Sequence, residues 1–382
     1  MNHWVRTNAE LKECCEVLQQ LPLIGLDTEF MRTNTFFPIP ALIQVSTPDQ
    51  VFFLDPQLIT DFSPFRAILD SEEIVKIMHA IGEDVELLRI AAGARLARVF
   101  DTQIAAVLCN KGFSLGYAAL VKKLLDIDIE KGETRSNWLA RPLSEAQEKY
   151  AAVDVVYLHQ MYNILARELN EKNCMAAVYE DTDRLISQSH IEIIDDYYLK
   201  LRGGWRLPKE NQQALKYLCI WRENKARSKN TPRSRIIDDN TLIEIATVLP
   251  KDTAELNEIH CQKPWVIRKQ SDEILAALSS AAAQDVNWDS LPLISRPLDS
   301  NQQLLYKKMK KLITRKSEEV SIPFEILANK KMLEKTILQS YDCRKVVLAE
   351  ELLGWRGTII GDLVKDTLQQ QIAAEFGSSV NS

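Results

Sequence analysis

Several common signatures are missing from this chain of 382 residues. It contains no Gly-Lys dipeptide, which excludes the phosphate-binding loop G-x-x-x-x-G-K-[ST], and no nucleotide cofactor is expected. No apolar run approaches the roughly 18 residues that a membrane-spanning helix needs. The first residues also lack the basic and then apolar pattern of a signal peptide. These absences predict a cytoplasmic protein without a membrane partner.

The amino-acid composition narrows the class of protein further. The seven cysteines are scattered without a C-x-x-C pair, a pattern typical of free thiols in a reducing compartment. Glycine occurs at only 12 positions, which indicates a helix-rich chain with few tight turns. The 47 basic and 53 acidic residues give a net charge of −6, which argues against a uniformly basic nucleic-acid coat protein. A local basic surface remains compatible with this balance.

The first 200 residues mix strand and helix patterns. Short apolar or β-rich runs predict strands at 21–30, 41–47, 51–55 and 74–80, the first three as an antiparallel meander. Residues 84–93 predict a helix that ends at Gly93. Residues 143–172 predict one long helix, which Ser144 and Gln147 open with a capping box.

Beyond about residue 205 only helical patterns remain. A stretch with two prolines at 287–300 is a candidate linker between two helical units, and each unit opens with a basic, Gln-rich helix. The pattern predicts an α/β domain followed by two small all-α domains.

Acidic residues recur in an order that suggests chemistry. Asp27 and Glu29 are two apart near the end of a predicted strand, so both carboxylates point to one face. Asp84 opens a helix after a later strand, and Tyr150 and Asp154 are neighbours on one helical face. Each feature alone is common in solvated strand ends and helix starts. Together they predict converging carboxylates, whose repulsion divalent cations such as Mg²⁺ or Mn²⁺ relieve.

These residues resemble the bacterial ribonuclease D family. The resemblance rests on LDTEFMRTNTFFPIPALIQVST at 26–47, IMHAIGEDVELL at 77–88 with VFDTQIAA at 99–106, and TRSNWLARPLSEAQEKYAAVDVVYL at 134–158. That family has a ribonuclease H-like exonuclease domain, a mixed sheet with flanking helices, and belongs to the DEDD exonucleases. Tyr150 places the chain in the DEDDy branch, since Lys149 stands where the other branch has histidine. Residues 206–246 resemble an HRDC domain, and residues 303–335 with 352–362 resemble a second one.

The resemblance implies domains at 1–204 (exonuclease), 205–290 (first HRDC) and 298–375 (second HRDC-like). It also implies an enzyme that releases 5′-mononucleotides from RNA 3′ ends with two divalent metal ions, Mg²⁺ or Mn²⁺. Asp27 would bridge both ions, Glu29 and Asp154 would complete one site, Asp84 would hold the second ion, and Tyr150 would orient the attacking water. The expected partner is RNA with a free 3′ end, especially tRNA precursors, bound by a monomer.

Further candidate RNA contacts come from two places. Phe30, Arg32 and Thr35 follow the first motif and are candidates for touching the terminal nucleotide, while Gln103 either bonds near the site or serves only as a helix N-terminal residue. The segment 202–235 carries ten Lys or Arg residues against two Glu, which favours phosphate contacts. Its RNA-binding candidates are Arg222, Lys225, Arg227 and Lys229. Its interleaved aromatics, Tyr217 and Trp221, fit core positions better than base stacking.

Three other functions compete with the exoribonuclease. An inert RNA-binding scaffold would be favoured by loss of any of the four acids, and all four are present. A helicase, suggested by the HRDC-like segments, needs the phosphate loop that this chain lacks. A DNA exonuclease stays open, because preference for RNA depends on contacts to the 2′-hydroxyl that the sequence does not locate.

Overall fold

The computed structural model describes residues 2–130, 132–133, 136–190, 194–261, 264–284 and 291–377. Six strands form one sheet: β1 Asn2–Val5, β2 Leu23–Met31, β3 Ile39–Ser46, β4 Val51–Leu54, β5 Val75–Met78 and β6 Val99–Asp101. Their order is β1-β4-β3-β2-β5-β6. β3 and β4 are antiparallel, whereas β1 pairs with β4, β2 with β5 and β5 with β6 in parallel. The sheet is therefore mixed, and the predicted neighbours β2, β3 and β4 are confirmed.

The helices before residue 191 alternate with and follow these strands. They are α1 Asn8–Leu18, α2 Ser63–Leu69, α3 Asp84–Ala92, α4 Thr102–Leu108, α5 Tyr117–Leu125, α6 Glu145–Val156, α7 Leu158–Glu171 and α8 Met175–His190. α3 ends at Gly93 in the left-handed conformation, and Ser144 and Gln147 form the predicted capping box of α6. Thr134 and Arg135, at the start of the third motif, lie outside the described residues.

The single long helix predicted at 143–172 is wrong, because the structure has two helices that break at Tyr157. The cause is a side chain from another segment. The Tyr117 hydroxyl donates to the Val153 carbonyl (2.8 Å) and accepts from the Tyr157 N–H (3.3 Å), so it stands between the two groups that an unbroken helix would join.

Helices beyond residue 191 form two series. The first is α9 Lys209–Ser228, α10 Arg233–Ile236, α11 Asp239–Val248, α12 Thr253–Asn257 and α13 Pro264–Ala282, preceded by 3-10 turns at Ile194–Lys200 and Gly204–Arg206. The second is α14 Ser300–Val320, α15 Phe324–Leu327, α16 Lys330–Asp342, α17 Gly354–Arg356 and α18 Asp362–Phe376, with a 3-10 turn at Glu350–Leu352 and a π turn at Gly357–Gly361.

The two series open alike. In each, a long helix is followed by a four-residue helix whose N-cap is proline, Pro232 or Pro323. An Asx N-cap, Asp238 or Asn329, then starts the third helix. The Pro and Asx residues therefore end and begin the first three helices in the same way in both series.

The chain divides into two compact units that differ from the predicted division. The first contains residues 1–31, 40–190 and 298–382, and the second contains residues 32–39 and 191–297. In the first unit, successive strand residues pack alternately into two apolar clusters. Phe53 and Ile77 belong to one cluster, and Leu54 and Met78 belong to the other. The first of these clusters continues into α14, α16 and α18, so the 298–377 series shares a core with the sheet. Among the described residues, no helix is long and apolar enough to cross a membrane.

Candidate active site

Strand β2 brings two acids to one face of the sheet. Asp27 and Glu29 alternate with Thr28, and Gly25 lies two residues earlier on the same side. A Cβ at Gly25 would stand 2.2 Å from Ser46 Oγ and 3.1 Å from Leu158 Cδ1, so only glycine lets the start of α7 approach this closely. Ser46 Oγ also donates to the Val155 carbonyl (2.9 Å), which ties the end of α6 to the sheet.

This packing brings Asp154 to the strand acids. Asp27, Glu29 and Asp154 each offer a carboxylate oxygen, and the three oxygens lie within 4.8 Å of one another. All three residues are partly buried. Three oxygen donors from two separate elements at this spacing suit a hard divalent cation such as Mg²⁺ or Mn²⁺.

Asp84, the fourth predicted acid, lies beside this group but not within it. It is buried at the first turn of α3, and the Thr28 hydroxyl donates a hydrogen bond to its carboxylate. Its charge contributes to raising the pKa of Asp27, so the two carboxylates are near neighbours. The structure therefore brings together three of the four acids and holds the fourth adjacent to them.

Without a cation, the charged forms of these carboxylates are disfavoured, and their pKa values are raised. Burial, followed by the charges of Asp154 and Asp84, raises the pKa of Glu29 to about 8. Burial raises the pKa of Asp154 to about 7 and that of Asp84 to about 6, although hydrogen bonds from Tyr150 and Thr28 act in the opposite direction. A bound divalent cation would reverse the Coulombic part of this cost, so the donor set fits a metal.

Tyr150 lies over the cluster, as its spacing from Asp154 on α6 predicted. Its hydroxyl lies near the Asp154 carboxylate, and burial, followed by the charges of Asp154, Glu29 and Asp27, raises the pKa of the phenol. Its ring packs near Trp138, with centroids 6.0 Å apart. The phenol therefore stays protonated and available as a donor at neutral pH.

Two residues that touch the site were missed by the sequence analysis. Thr28 was visible as the middle residue of D-x-E, but its bond to Asp84 depends on where α3 lies. Tyr117 is close enough to Asp154 and Asp27 that their charges help to raise the pKa of its hydroxyl. No local signal in the sequence marks Tyr117, because its partners at Val153 and Tyr157 are about 40 residues away.

The secondary candidates near the first motif have structural partners. Gln103 lies in the first turn of α4, where its N–H donates to Asp101 (2.7 Å) and its side chain donates to the Leu115 carbonyl (2.9 Å), which favours the helix-terminal interpretation. Arg32 donates to the Phe36 carbonyl (2.7 Å) and Thr35 to the Phe37 carbonyl (2.6 Å). Phe30 is partly buried in β2. Arg32 and Thr35 belong to the second compact unit, and the acids belong to the first.

The basic segment needs one correction. Arg222 is not a surface cation for RNA, because its side chain is 1% exposed and bonds Asp239 (2.7 Å) and the Ile237 carbonyl (3.1 Å). Lys225 is paired with Glu273 (2.6 Å), and Arg227 stacks on Phe36. Lys229 is exposed at the end of α9. Tyr217 and Trp221 pack partly buried against the helical core, as expected.

Comparisons with known proteins agree with this geometry. Residues 2–170 match the family model described as a 3′-5′ exonuclease, and residues 211–278 match the HRDC domain. The fold and the acidic cluster thus define a 3′-5′ exonuclease with one HRDC domain recognised by sequence.

Full-length relatives identify the family. The chain is 35% identical to ribonuclease D of Pseudomonas paraeruginosa, over 96% of this chain and 97% of the relative. It is 35% identical to ribonuclease D of Haemophilus influenzae, over 96% and 92%. It also matches the crystal structure of Escherichia coli RNase D, an exoribonuclease involved in structured RNA processing, with a TM-score of 0.87, 30% identity and coverage of 97% and 99%. The chain belongs to the ribonuclease D family of metal-dependent 3′-5′ exoribonucleases.

Proposed function

We propose that Asp27, Glu29 and Asp154 hold one divalent cation, Mg²⁺ or Mn²⁺, and that Asp84 with Asp27 holds a second. The observation that carries this proposal is the convergence of three carboxylate oxygens from β2 and α6 within 4.8 Å. Two ions, when bound, supply the charge that lowers the pKa of an attacking water and stabilises the departing 3′-oxygen. Thr28 orients the Asp84 carboxylate through its hydroxyl.

Tyr150 is the proposed water-positioning residue. Its hydroxyl lies near the Asp154 carboxylate, so it is placed to donate to a water bound beside that carboxylate. With its pKa raised, the phenol orients the water and does not remove its proton. The product of attack on the last phosphodiester is a 5′-mononucleotide, and the enzyme then acts on the shortened 3′ end.

We propose RNA with a free 3′ end, including tRNA precursors, as the substrate of a monomeric cytoplasmic enzyme. Support comes from the Escherichia coli relative, which is an exoribonuclease involved in structured RNA processing. The series from α14 to α18 is proposed as a second HRDC-like domain. Its long first helix is followed by a four-residue helix with a proline N-cap, as in the first series. With it we retain three functional domains at 1–204, 205–290 and 298–375.

RNA-binding charge is proposed at exposed lysines outside the site. Lys229 remains a candidate in the first series, and Lys307, Lys308 and Lys311 are exposed on α14. Lys225 and Arg227 remain candidates only if RNA phosphate replaces their present acidic or aromatic partners. Such contacts add affinity that falls with salt and carry no sequence readout. Phe30, Arg32 and Thr35 remain proposed contacts to the terminal nucleotide, whereas Gln103 is a weaker RNA-binding candidate because its side chain bonds the Leu115 carbonyl.

The test uses a single-stranded RNA labelled at its 3′ end and a DNA of the same sequence. Full-length protein is incubated with Mg²⁺, with Mn²⁺ and with EDTA, and the labelled product is identified by chromatography. We expect a labelled 5′-mononucleotide from the RNA as the first product, with no reaction in EDTA. A labelled oligonucleotide as the first product would indicate an endonuclease and contradict the proposal. Equal rates on RNA and DNA would contradict RNA as the preferred substrate.

A further inference from the structure

The connection that follows the acid-bearing strand is anchored by the helical part of the chain. Residues 32–39 join β2 to β3, and they begin three positions after Glu29. This segment forms one compact unit with residues 191–297. Within it, Arg32 and Thr35 already bond carbonyls of the same segment, so its own polar side chains partly fix its shape. What holds the segment in place comes from α9 and the residues after it.

Asn230 provides the central anchor. Its side-chain oxygen accepts the backbone N–H groups of both Phe36 and Phe37, each at 3.0 Å. Asn230 follows the end of α9 with φ of 44°, in the left-handed region that asparagine and glycine tolerate best. The position therefore needs two properties at once, a left-handed backbone and a side-chain acceptor. Glycine supplies only the first, whereas aspartate supplies the acceptor and tolerates the backbone better than most residues.

Phe36 reinforces the same anchor. Its ring is 3% exposed in the core of the helical unit, with the Arg227 guanidinium 4.9 Å and the Arg233 guanidinium 4.6 Å from its centroid. Arg233 is in turn held by Glu223, which is fully buried (Nη2 to Oε2, 2.8 Å). At the exposed end of the segment, Arg235 donates to the Asn34 side chain. The segment is thus held at its middle by Asn230 and Phe36 and at its tip by Arg235.

We propose that Asn230 is a positioning residue for the exonuclease site. Its two hydrogen bonds fix segment 32–39, and through the covalent continuity of the chain they fix the end of β2 that carries Glu29. This inference rests on the proposed role of Glu29 as a metal ligand. It gives the residues after α9 a task besides RNA binding, because the segment that they hold is continuous with the strand that carries Glu29.

Two substitutions at one position separate the acceptor from the backbone. In the full-length protein, Asn230→Gly keeps the left-handed residue and removes the acceptor, whereas Asn230→Asp keeps an acceptor for both N–H groups. Asn224→Ala, an exposed amide on α9, is the matched control. We expect Asn230→Gly to lower kcat about tenfold on a short single-stranded RNA, because small displacements of a catalytic group have effects of this order. KM should change little, and Asn230→Asp should restore kcat to within about threefold by the same reasoning.

Hydrogen exchange measured on peptides covering 32–39 gives a readout independent of activity. The segment should exchange faster in Asn230→Gly and at the wild-type rate in Asn230→Asp and Asn224→Ala. The inference is overturned if Asn230→Gly keeps kcat within twofold of wild type, if only KM rises, or if Asn230→Asp is as impaired as Asn230→Gly.

A second variant covers the case in which Asn230→Gly does not fold. Arg235→Gln removes the exposed bond to Asn34 and leaves the core intact, so it should raise exchange at 32–39 and lower kcat by a smaller factor. Unchanged exchange and kcat in that variant would then count against the inference. A wild-type protein inactive with both Mg²⁺ and Mn²⁺ would instead refute the proposed function, while exchange at 32–39 would still report whether Asn230 anchors the segment.

Discussion

Asp27→Asn should abolish cleavage and yet stabilise the metal-free protein. In the absence of a cation, burial and then the charges of Asp84, Asp154 and Glu29 raise the pKa of Asp27. The amide has nearly the same shape and removes one charge from the cluster. Two unit charges 4.8 Å apart interact by about 3 kcal/mol at an effective dielectric constant of about 20, so removing one charge from the cluster should stabilise the metal-free protein by about 1–3 kcal/mol after solvent screening.

The pH dependence of this gain follows from the direction of the pKa shifts. The folded protein holds protons on these acids up to pH 6–8, with Glu29 at about 8 and Asp154 at about 7, while the unfolded chain releases them near its ordinary values of 4.5 and 3.8. The native state therefore binds more protons than the unfolded state in this window, and metal-free stability falls as pH rises through it. The variant's advantage should be large at pH 8 and small at pH 4.

The assay is thermal unfolding in EDTA at pH 4 and pH 8. At about 2–4 °C per kcal/mol for a unit of this size, the expected rise in Tm at pH 8 is about 2–12 °C. Glu16→Gln, an exposed carboxylate on α1, is the control and should leave Tm unchanged. A lower Tm for Asp27→Asn at pH 8, or the same offset at both pH values, would refute the reasoning. Cleavage within tenfold of wild type would refute the assigned role.

Four further substitutions test the roles of Tyr150, Tyr117, Arg222 and Lys229. Tyr150→Phe should lower kcat by about 10²-fold with Mn²⁺ affinity unchanged, since only positioning is lost. A parallel fall in Mn²⁺ affinity, measured by calorimetry, would contradict this role. Tyr117→Phe leaves the groups at Val153 and Tyr157 without their bridge, so Tm and kcat should both fall, with a loss of stability of about 1–3 kcal/mol; normal values would show that the hydroxyl is dispensable. Arg222→Met should destabilise the helical unit and leave the salt dependence of RNA binding unchanged. Lys229→Ala should reduce the slope of log binding constant against log salt concentration by about 0.7–0.9. A reduced slope in Arg222→Met with an unchanged slope in Lys229→Ala would instead indicate that Arg222 contacts RNA.

The sequence predicted best what local patterns determine. Strand alternation put Asp27 and Glu29 on one face, Gly93 ended α3, and Ser144 with Gln147 opened α6. Each of these depends on a few adjacent residues, whose backbone preferences or hydrogen bonds act over one turn or less. The positions of Asp84, Tyr150 and Asp154 on predicted helices suggested the remaining members of the set, and the family resemblance assigned their roles.

What the sequence did not predict depends on distant partners. The break between α6 and α7 comes from Tyr117, which lies far away in the sequence. Arg222 is predicted to be a surface charge from the sequence, but in the structure its side chain bonds Asp239. Segment 32–39 belongs with residues 191–297 because of Asn230 and the stacked Phe36, which no local pattern reveals. For the same reason, deletion of residues 206–382 removes more than an RNA-binding surface. It would release segment 32–39 and strip α14, α16 and α18 from the apolar cluster that they share with the sheet.

The central claim is that the Asp27, Glu29 and Asp154 cluster holds the cation on which exonuclease activity depends. The most direct measurement titrates Mn²⁺ into metal-free protein and records, in the same samples, the ion bound by electron paramagnetic resonance and the initial rate of 5′-mononucleotide release from RNA. We predict that the rate of 5′-mononucleotide release rises with the amount of Mn²⁺ bound. Asp154→Asn should bind Mn²⁺ more weakly and release no mononucleotide over the same Mn²⁺ concentrations. Full activity in excess EDTA, or tight Mn²⁺ binding with normal release in Asp154→Asn, would contradict it.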